Sequence, residues 1–211
     1  MYNVFLSIGQ KILMIIEIHC HGRPHKYGIS KADKFCKIAK EMCIDALIFT
    51  EHAHTASNNF WTTENIESLQ LKHGVSILIG QEISTDIGDI LVYNYPYVVK
   101  DRMNITDIIV DEDWAIVAAH PCRKGGLERI RPYVGKFDAI EIMNKSYSAE
   151  DCSLAISFAF EHGLGMVGSS DIHLNRHIGI CPCHVPSCNS IRDFVSHIKS
   201  RQVVPLSIKF R

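Results

Sequence analysis

Short apolar runs rich in β-branched residues alternate along the chain with stretches whose apolar positions recur every three or four residues. The runs predict strands at 14–19 (MIIEIH), 45–52 (DALIFTEH), 75–83 (VSILIGQEI), 89–94 (DILVYN), 114–120 (WAIVAAH), 137–143 (FDAIEIM), 165–173 (GMVGSSDIH) and 203–208 (VVPLSI). Helices are predicted at 30–43 with Ser30 as N-cap, through TENIESLQLKHG to a stop at Gly74, briefly from Leu127, at 149–163 and at 190–200. Strands that alternate with helices indicate an α/β chain with a largely parallel sheet. A turn at 86–88 joins the third strand to the fourth. The notable polar residues stand at carboxyl ends of strands: His19 and His21, His52, Glu82, His120, Glu141, and Asp171 with His173. A β/α barrel builds its active site there. A doubly wound sheet would instead gather its site at one switch point, and no glycine-rich phosphate loop follows any strand. Residues 1–13 precede the first clear strand and are either an extension or a further strand or helix.

Composition narrows the picture. The chain has 211 residues, 46% of them hydrophobic and 21% charged, which suits one compact domain with a sizeable core. A net charge of -1 provides no global basic field, so nucleic acid is a possible but not a favoured partner. No apolar run approaches the roughly 18 residues of a membrane span. The N-terminus lacks a basic leader and Lys11 interrupts its apolar stretch, so a cytoplasmic location with eight free cysteines is expected. The spacing in CPCHVPSC, 181–188, matches no common structural zinc pattern, and a strand with small buried thiols is expected there.

The strand ends hold the candidate chemistry. In a strand, residues i and i+2 share a face, so His19 and His21 of HCH can converge on one ion, and Asp171 and His173 of SDIH repeat the device. His52, Glu82 and His120 add further imidazole and carboxylate ligands of the kind that suit Zn, Mn or Fe. Glu17, two residues before His19, is placed to orient a ligand, while Glu51 is predicted to face away. Arg23, Arg123 with Lys124, and Arg176 with His177 lie on loops after these motifs, where fixed cations would meet phosphoryl oxygens.

In order along the chain, HCH, TEH, GQEIST with GDILVY, AHP, IEIMN and GSSDIH resemble the polymerase and histidinol phosphatase (PHP) family, from about Met14 to Pro205. The resemblance implies a distorted seven-stranded, TIM-like β/α barrel forming a single domain over 14–211. It also implies two or three divalent metals at the carboxyl face and hydrolysis of a phosphoester by metal-activated hydroxide. The positions matching the family's ligands are His19, His21, His52, Glu82, His120, Asp171 and His173. Two positions depart from the family pattern: His25 stands near an expected Asp and is read as its replacement, and Asp89 stands for an expected His as a candidate ligand. Glu141 and Asn144 are expected to support ligands or contact substrate. A small phosphorylated molecule is the favoured substrate. The alternative is a non-catalytic metal-binding module of the kind that accompanies polymerases.

Overall fold

The computed structural model describes residues 13–22, 31–53, 60–97, 99 and 102–206. The strands are β1 (Leu13–Cys20), β2 (Ala46–Phe49), β3 (Ser76–Ser84), β4 (Asp89–Tyr93), β5 (Ala115–Ala118), β6 (Ala139–Asn144), β7 (Gly165–Ser169), β8 (Cys183–Pro186) and β9 (Val204–Pro205). The helices are α1 (Lys31–Glu41), α2 (Thr63–His73), α3 (Gly126–Ile130), α4 (Ala149–His162) and α5 (Ile191–Lys199). Every predicted element is present, with ends trimmed by a few residues. β1 opens one residue before Met14, and residues 1–12, Ser30 and 207–211 lie outside the described residues.

Among the described residues, one sheet of nine strands runs in the order β7-β6-β5-β4-β3-β2-β1-β8-β9, a nearly closed barrel rather than a seven-stranded one. At the carboxyl end β1 meets the chain leaving β7. Ile172 bridges to Cys20, with His21 N donating to Ile172 O at 2.8 Å and Ile172 N to His19 O at 2.9 Å. At the other end β8 pairs antiparallel with Leu13 to Ile16 of β1, and β9 pairs with β8. The CPCHVPSC stretch therefore supplies a strand, as its composition suggested, and this strand accounts for part of the count beyond seven. Gly168 of β7 makes its packing possible, because a Cβ there would lie 2.8 Å from Cys181 O.

The sheet is also less parallel than predicted. β1, β2 and β3 pair in parallel, as do β5, β6 and β7, but β4 is antiparallel to both its neighbours. A parallel crossover needs a dozen or more residues, and the few between Ser84 and Asp89 permit only a hairpin. The reversal has a consequence for chemistry, because it puts Asp89, the first residue of β4, beside the carboxyl end of β3.

Alternation along the strands separates inner from outer residues. Ile16 and Ile18, Ala46 and Ile48, Leu91 and Tyr93, and Val117 and Ala119 pack in one inner cluster with Cys183 and Val185. Phe194, Val195 and Ile198 of α5 join them and plug the barrel; the Phe194 ring meets Tyr93 edge-on at 4.8 Å. The Tyr93 hydroxyl is satisfied by Ile18 O at 2.9 Å. Outside, Leu47, Phe49 and Ile77 pack against Phe35 and Cys36 of α1, while Ile116, Ile140 and Ile142 pack against Phe158 and Ala159 of α4. Burial on both faces is why these strands read as continuous apolar runs.

Candidate metal centre

Four strand ends deliver six side chains to one buried point. His19 and His21 come from β1, Glu82 from β3, His120 from the turn after β5, Asp171 and His173 from the turn after β7. His52, just beyond β2, bridges to Glu82 and brings its Nδ1 to 2.9 Å from Glu82 Oε2. The same oxygen lies 3.2 Å from His21 Nε2 and 3.4 Å from His19 Nε2, while Glu82 Oε1 lies 3.2 Å from His120 Nε2. Asp171 Oδ1 is 3.7 Å from both His19 Nε2 and His21 Nε2, and 3.1 Å from His173 Nδ1.

Backbone geometry aims these groups. The β1–β2 register shifts between Glu17 and Cys20, a bulge that resets the alternation so that Ile16 and Ile18 line the barrel while His19 and His21 still face the site. The same bulge removes Glu17 from the histidine face. Glu17 is fully buried and accepts instead from Ser170 Oγ at 2.8 Å and Gly179 N at 2.6 Å, tying β1 to the loop after β7. Burial pushes its carboxyl up to about 7 despite these donors. His120 and Asp171 both adopt left-handed backbone, with φ of 32° and 44°. Such strain in non-glycine residues persists only where the surroundings hold it. Asp171 and His173 thus meet through a turn, not through the strand alternation predicted for them.

Glu141 is the supporting carboxylate. One oxygen accepts from His19 Nδ1 at 2.9 Å; the other accepts from His120 N at 2.8 Å and Asn144 Nδ2 at 3.0 Å. It orients one imidazole and braces the strained backbone of another. Arg123 donates to Asp171 Oδ2 at 2.8 Å, Asn144 Oδ1 at 3.2 Å and Ser146 Oγ at 3.0 Å. Lys145, which no strand-end motif marks, lies 3.1 Å from Asp171 Oδ2 and also donates to the Asp171 carbonyl. Its only signal was a cation directly after a strand end. Glu51 was predicted to face away, yet it is buried with Oε2 4.0 Å from His21 Nδ1. β2 ends at Phe49, so strand alternation no longer governs Glu51. Arg176 is exposed on the turn Asn175–His177 and pairs with none of the cluster, while Arg23 and His25 lie outside the described residues.

The donors fit a divalent ion. Three triads, His21/His52/His173, His19/His21/Glu82 and Glu82/Asp89/His120, each present donor atoms within 4.8 Å of one another. Asp89 accepts from Ser84 Oγ at 2.7 Å, which holds its carboxylate in place. Among the described residues, no group makes a well-aligned hydrogen bond to buried Glu82 Oε2 or His21 Nδ1, although His52 Nδ1 approaches Glu82 Oε2 to 2.9 Å. Crowded donor atoms that do not satisfy one another are what a shared cation would reconcile. Burial pushes the His21 imidazole down to about 4 against the pull of Glu82, leaving it neutral and able to ligate. Burial would raise Glu82, but His19, His120 and His21 hold it well below the usual carboxylate range. Burial would likewise raise Asp171, but His173, His19, Arg123 and Lys145 hold it low. No cysteine takes part: all eight are free thiols, and none enters a ligand group among the described residues.

Residues 149–203 match the family described as PHP-associated. Among curated proteins none matches the sequence. The fold is similar to that of PsfC from Pseudomonas syringae, with a TM-score of 0.66 at 18% identity over 93% of this chain and 92% of that one. It is similar to a two-domain protein from Bacteroides vulgatus described as containing a PHP-like metal-dependent phosphoesterase, at TM-score 0.65 and 15% identity, covering 93% of this chain and 65% of that one. An amidohydrolase from Chromobacterium violaceum, solved with sulfate and no metal, aligns at TM-score 0.58 and 16% identity over 91% of this chain and 97% of that one. The match to the PHP-associated family spans residues 149–203, about a quarter of the chain, and the solved structures share its fold.

Proposed function

We propose that this protein is a metal-dependent hydrolase of phosphoester bonds that acts on a small phosphorylated molecule. The observation that carries the reading is the convergence of His19, His21, His52, Glu82, His120, Asp171 and His173 on one buried point, with Asp89 at its edge. These residues would hold two or three divalent ions. Such ions, when bound, supply Lewis acidity toward a phosphoryl oxygen and a nucleophile at neutral pH.

The chain's own groups do the rest. Glu141 fixes the ring of His19 through Nδ1 and leaves Nε2 facing the cluster. Arg123 and Lys145 place two cations on Asp171 Oδ2, at the rim where phosphoryl oxygens would arrive. Asn144 and Ser146 hold the guanidinium of Arg123 in position.

The test is metal-loaded protein assayed on p-nitrophenyl phosphate, its bis-ester and short oligonucleotides, with metal content measured by elemental analysis. Cleavage that disappears in both His19→Ala and Asp171→Ala, with circular dichroism unchanged, is the expected result. Protein that binds metal but cleaves none of the three favours the non-catalytic metal-binding module instead.

A further inference from the structure

A cavity of about 210 Å³ opens beside the cluster, and Asp89 and His120 form part of its wall. Ile87, Ala118 and Ile130 supply apolar surface, and Arg123 and Arg129 supply two guanidinium groups. The two arginines differ in how far they are committed. Arg123 is engaged by Asp171, Asn144 and Ser146. Arg129 is exposed on α3 and makes no hydrogen bond or ion pair with the described residues; its neighbour Glu128 pairs with Arg131 instead.

The position of Arg129 relative to the cluster is set by tight packing. α3 begins at Gly126, where a Cβ would lie 2.4 Å from Pro121 O, so the helix sits directly on the turn that carries His120. The α3 backbone that carries Arg129, whose guanidinium is unpaired among the described residues, is thus fixed relative to the candidate ligands, across a partly apolar cavity. At about 30 Å³ per water, the space holds roughly seven small heavy atoms beyond the cluster.

We infer that Arg129 is a specificity-determining residue and that the substrate carries a second anionic group, a carboxylate or a further phosphate, on a short body next to the phosphoryl group. The inference rests on the phosphoesterase reading for the phosphoryl end. Arg129 supplies the charge-assisted hydrogen bonds that such a group would require.

The experiment compares metal-loaded wild type with Arg129→Gln and Arg129→Lys on glycerol phosphate, phosphoglycerate and glycerol bisphosphate. Calorimetric binding of phosphoglycerate and of glycerol bisphosphate is measured on the same proteins. Wild type is expected to favour one of the doubly anionic substrates over glycerol phosphate by about tenfold or more in kcat/KM. The preferred one identifies the second group as carboxylate or phosphate. Arg129→Gln is expected to erase most of that preference through KM, with partial rescue by Arg129→Lys. Loss of equal size on every substrate, or no preference in wild type, overturns the inference. If wild type cleaves none of these esters nor p-nitrophenyl phosphate, the phosphoesterase reading fails. Binding then decides the pocket by itself: affinity for phosphoglycerate or glycerol bisphosphate that depends on Arg129 supports it, and independence for both overturns it.

Discussion

Replacing Glu17 by Gln isolates a buried carboxyl whose energetics follow from its surroundings. Glu17 is completely buried, and burial lifts its carboxyl from 4.5 to about 7 although Gly179 N and Ser170 donate to it. A carboxyl raised in the folded state favours folding most below its unfolded pKa and forfeits that contribution as pH rises through its folded value. The relevant window is therefore pH 4.5 to about 7. A shift of about 2.5 units corresponds to about 3 kcal/mol, an order-of-magnitude figure, and to a change in Tm on the order of 5 to 10 °C for a chain of this size. The variant keeps an amide oxygen for Ser170 and Gly179 but does not titrate. Thermal unfolding of chelator-treated wild type and Glu17→Gln is followed at pH 5 and pH 8. The change with pH in wild type, minus that in the variant, should have this size, with wild type losing more on going to pH 8. Groups common to both proteins cancel in that difference. Parallel pH profiles would refute the reasoning, because they would mean that Glu17 titrates normally or is ionised at no cost.

Two further outcomes follow from packing and from the hydrogen bonds around the cluster. Phe194→Ala removes the plug that meets Tyr93 inside the barrel and should cost about 3 to 5 kcal/mol, lowering Tm on the order of 10 °C. A change of only a degree or two would show that α5 does not complete the inner core. Glu141→Gln keeps the volume but weakens the acceptor for His19 Nδ1, His120 N and Asn144 Nδ2, so metal affinity in chelator competition should fall about 10- to 100-fold. Unchanged affinity would mean that Glu141 supports only the fold.

Local pattern was informative where its physical basis held. The i, i+2 spacing of His19 and His21 correctly brought two imidazoles together, because both lie on or just past an extended strand. The same rule placed Glu17 beside them, and it failed because a one-residue register shift in β1 resets which face each residue presents. It also misjudged Glu51, since β2 ends two residues earlier. Asp171 and His173 do meet, but through a left-handed turn that no periodicity signals. Arg176 resembled Arg123 as a loop cation after a motif, yet only Arg123 reaches Asp171.

By itself the sequence determined the alternation of strands and helices, the burial of both faces of the sheet, and the kinds of donor that end the strands. Those properties reside in residue type and spacing over a few positions, where hydrophobicity and side-chain direction act. Only the tertiary structure decided that the fourth strand runs backwards and carries Asp89 to the site, that β8 and β9 extend the barrel, and that Glu82 sits among four imidazoles. It alone revealed that Lys145 shares Asp171 with Arg123 and that Arg129 stands beside a cavity, unpaired among the described residues. Those contacts join residues far apart in the chain. Their distances depend on strand register, on a bulge and on packing between elements, which local pattern does not encode.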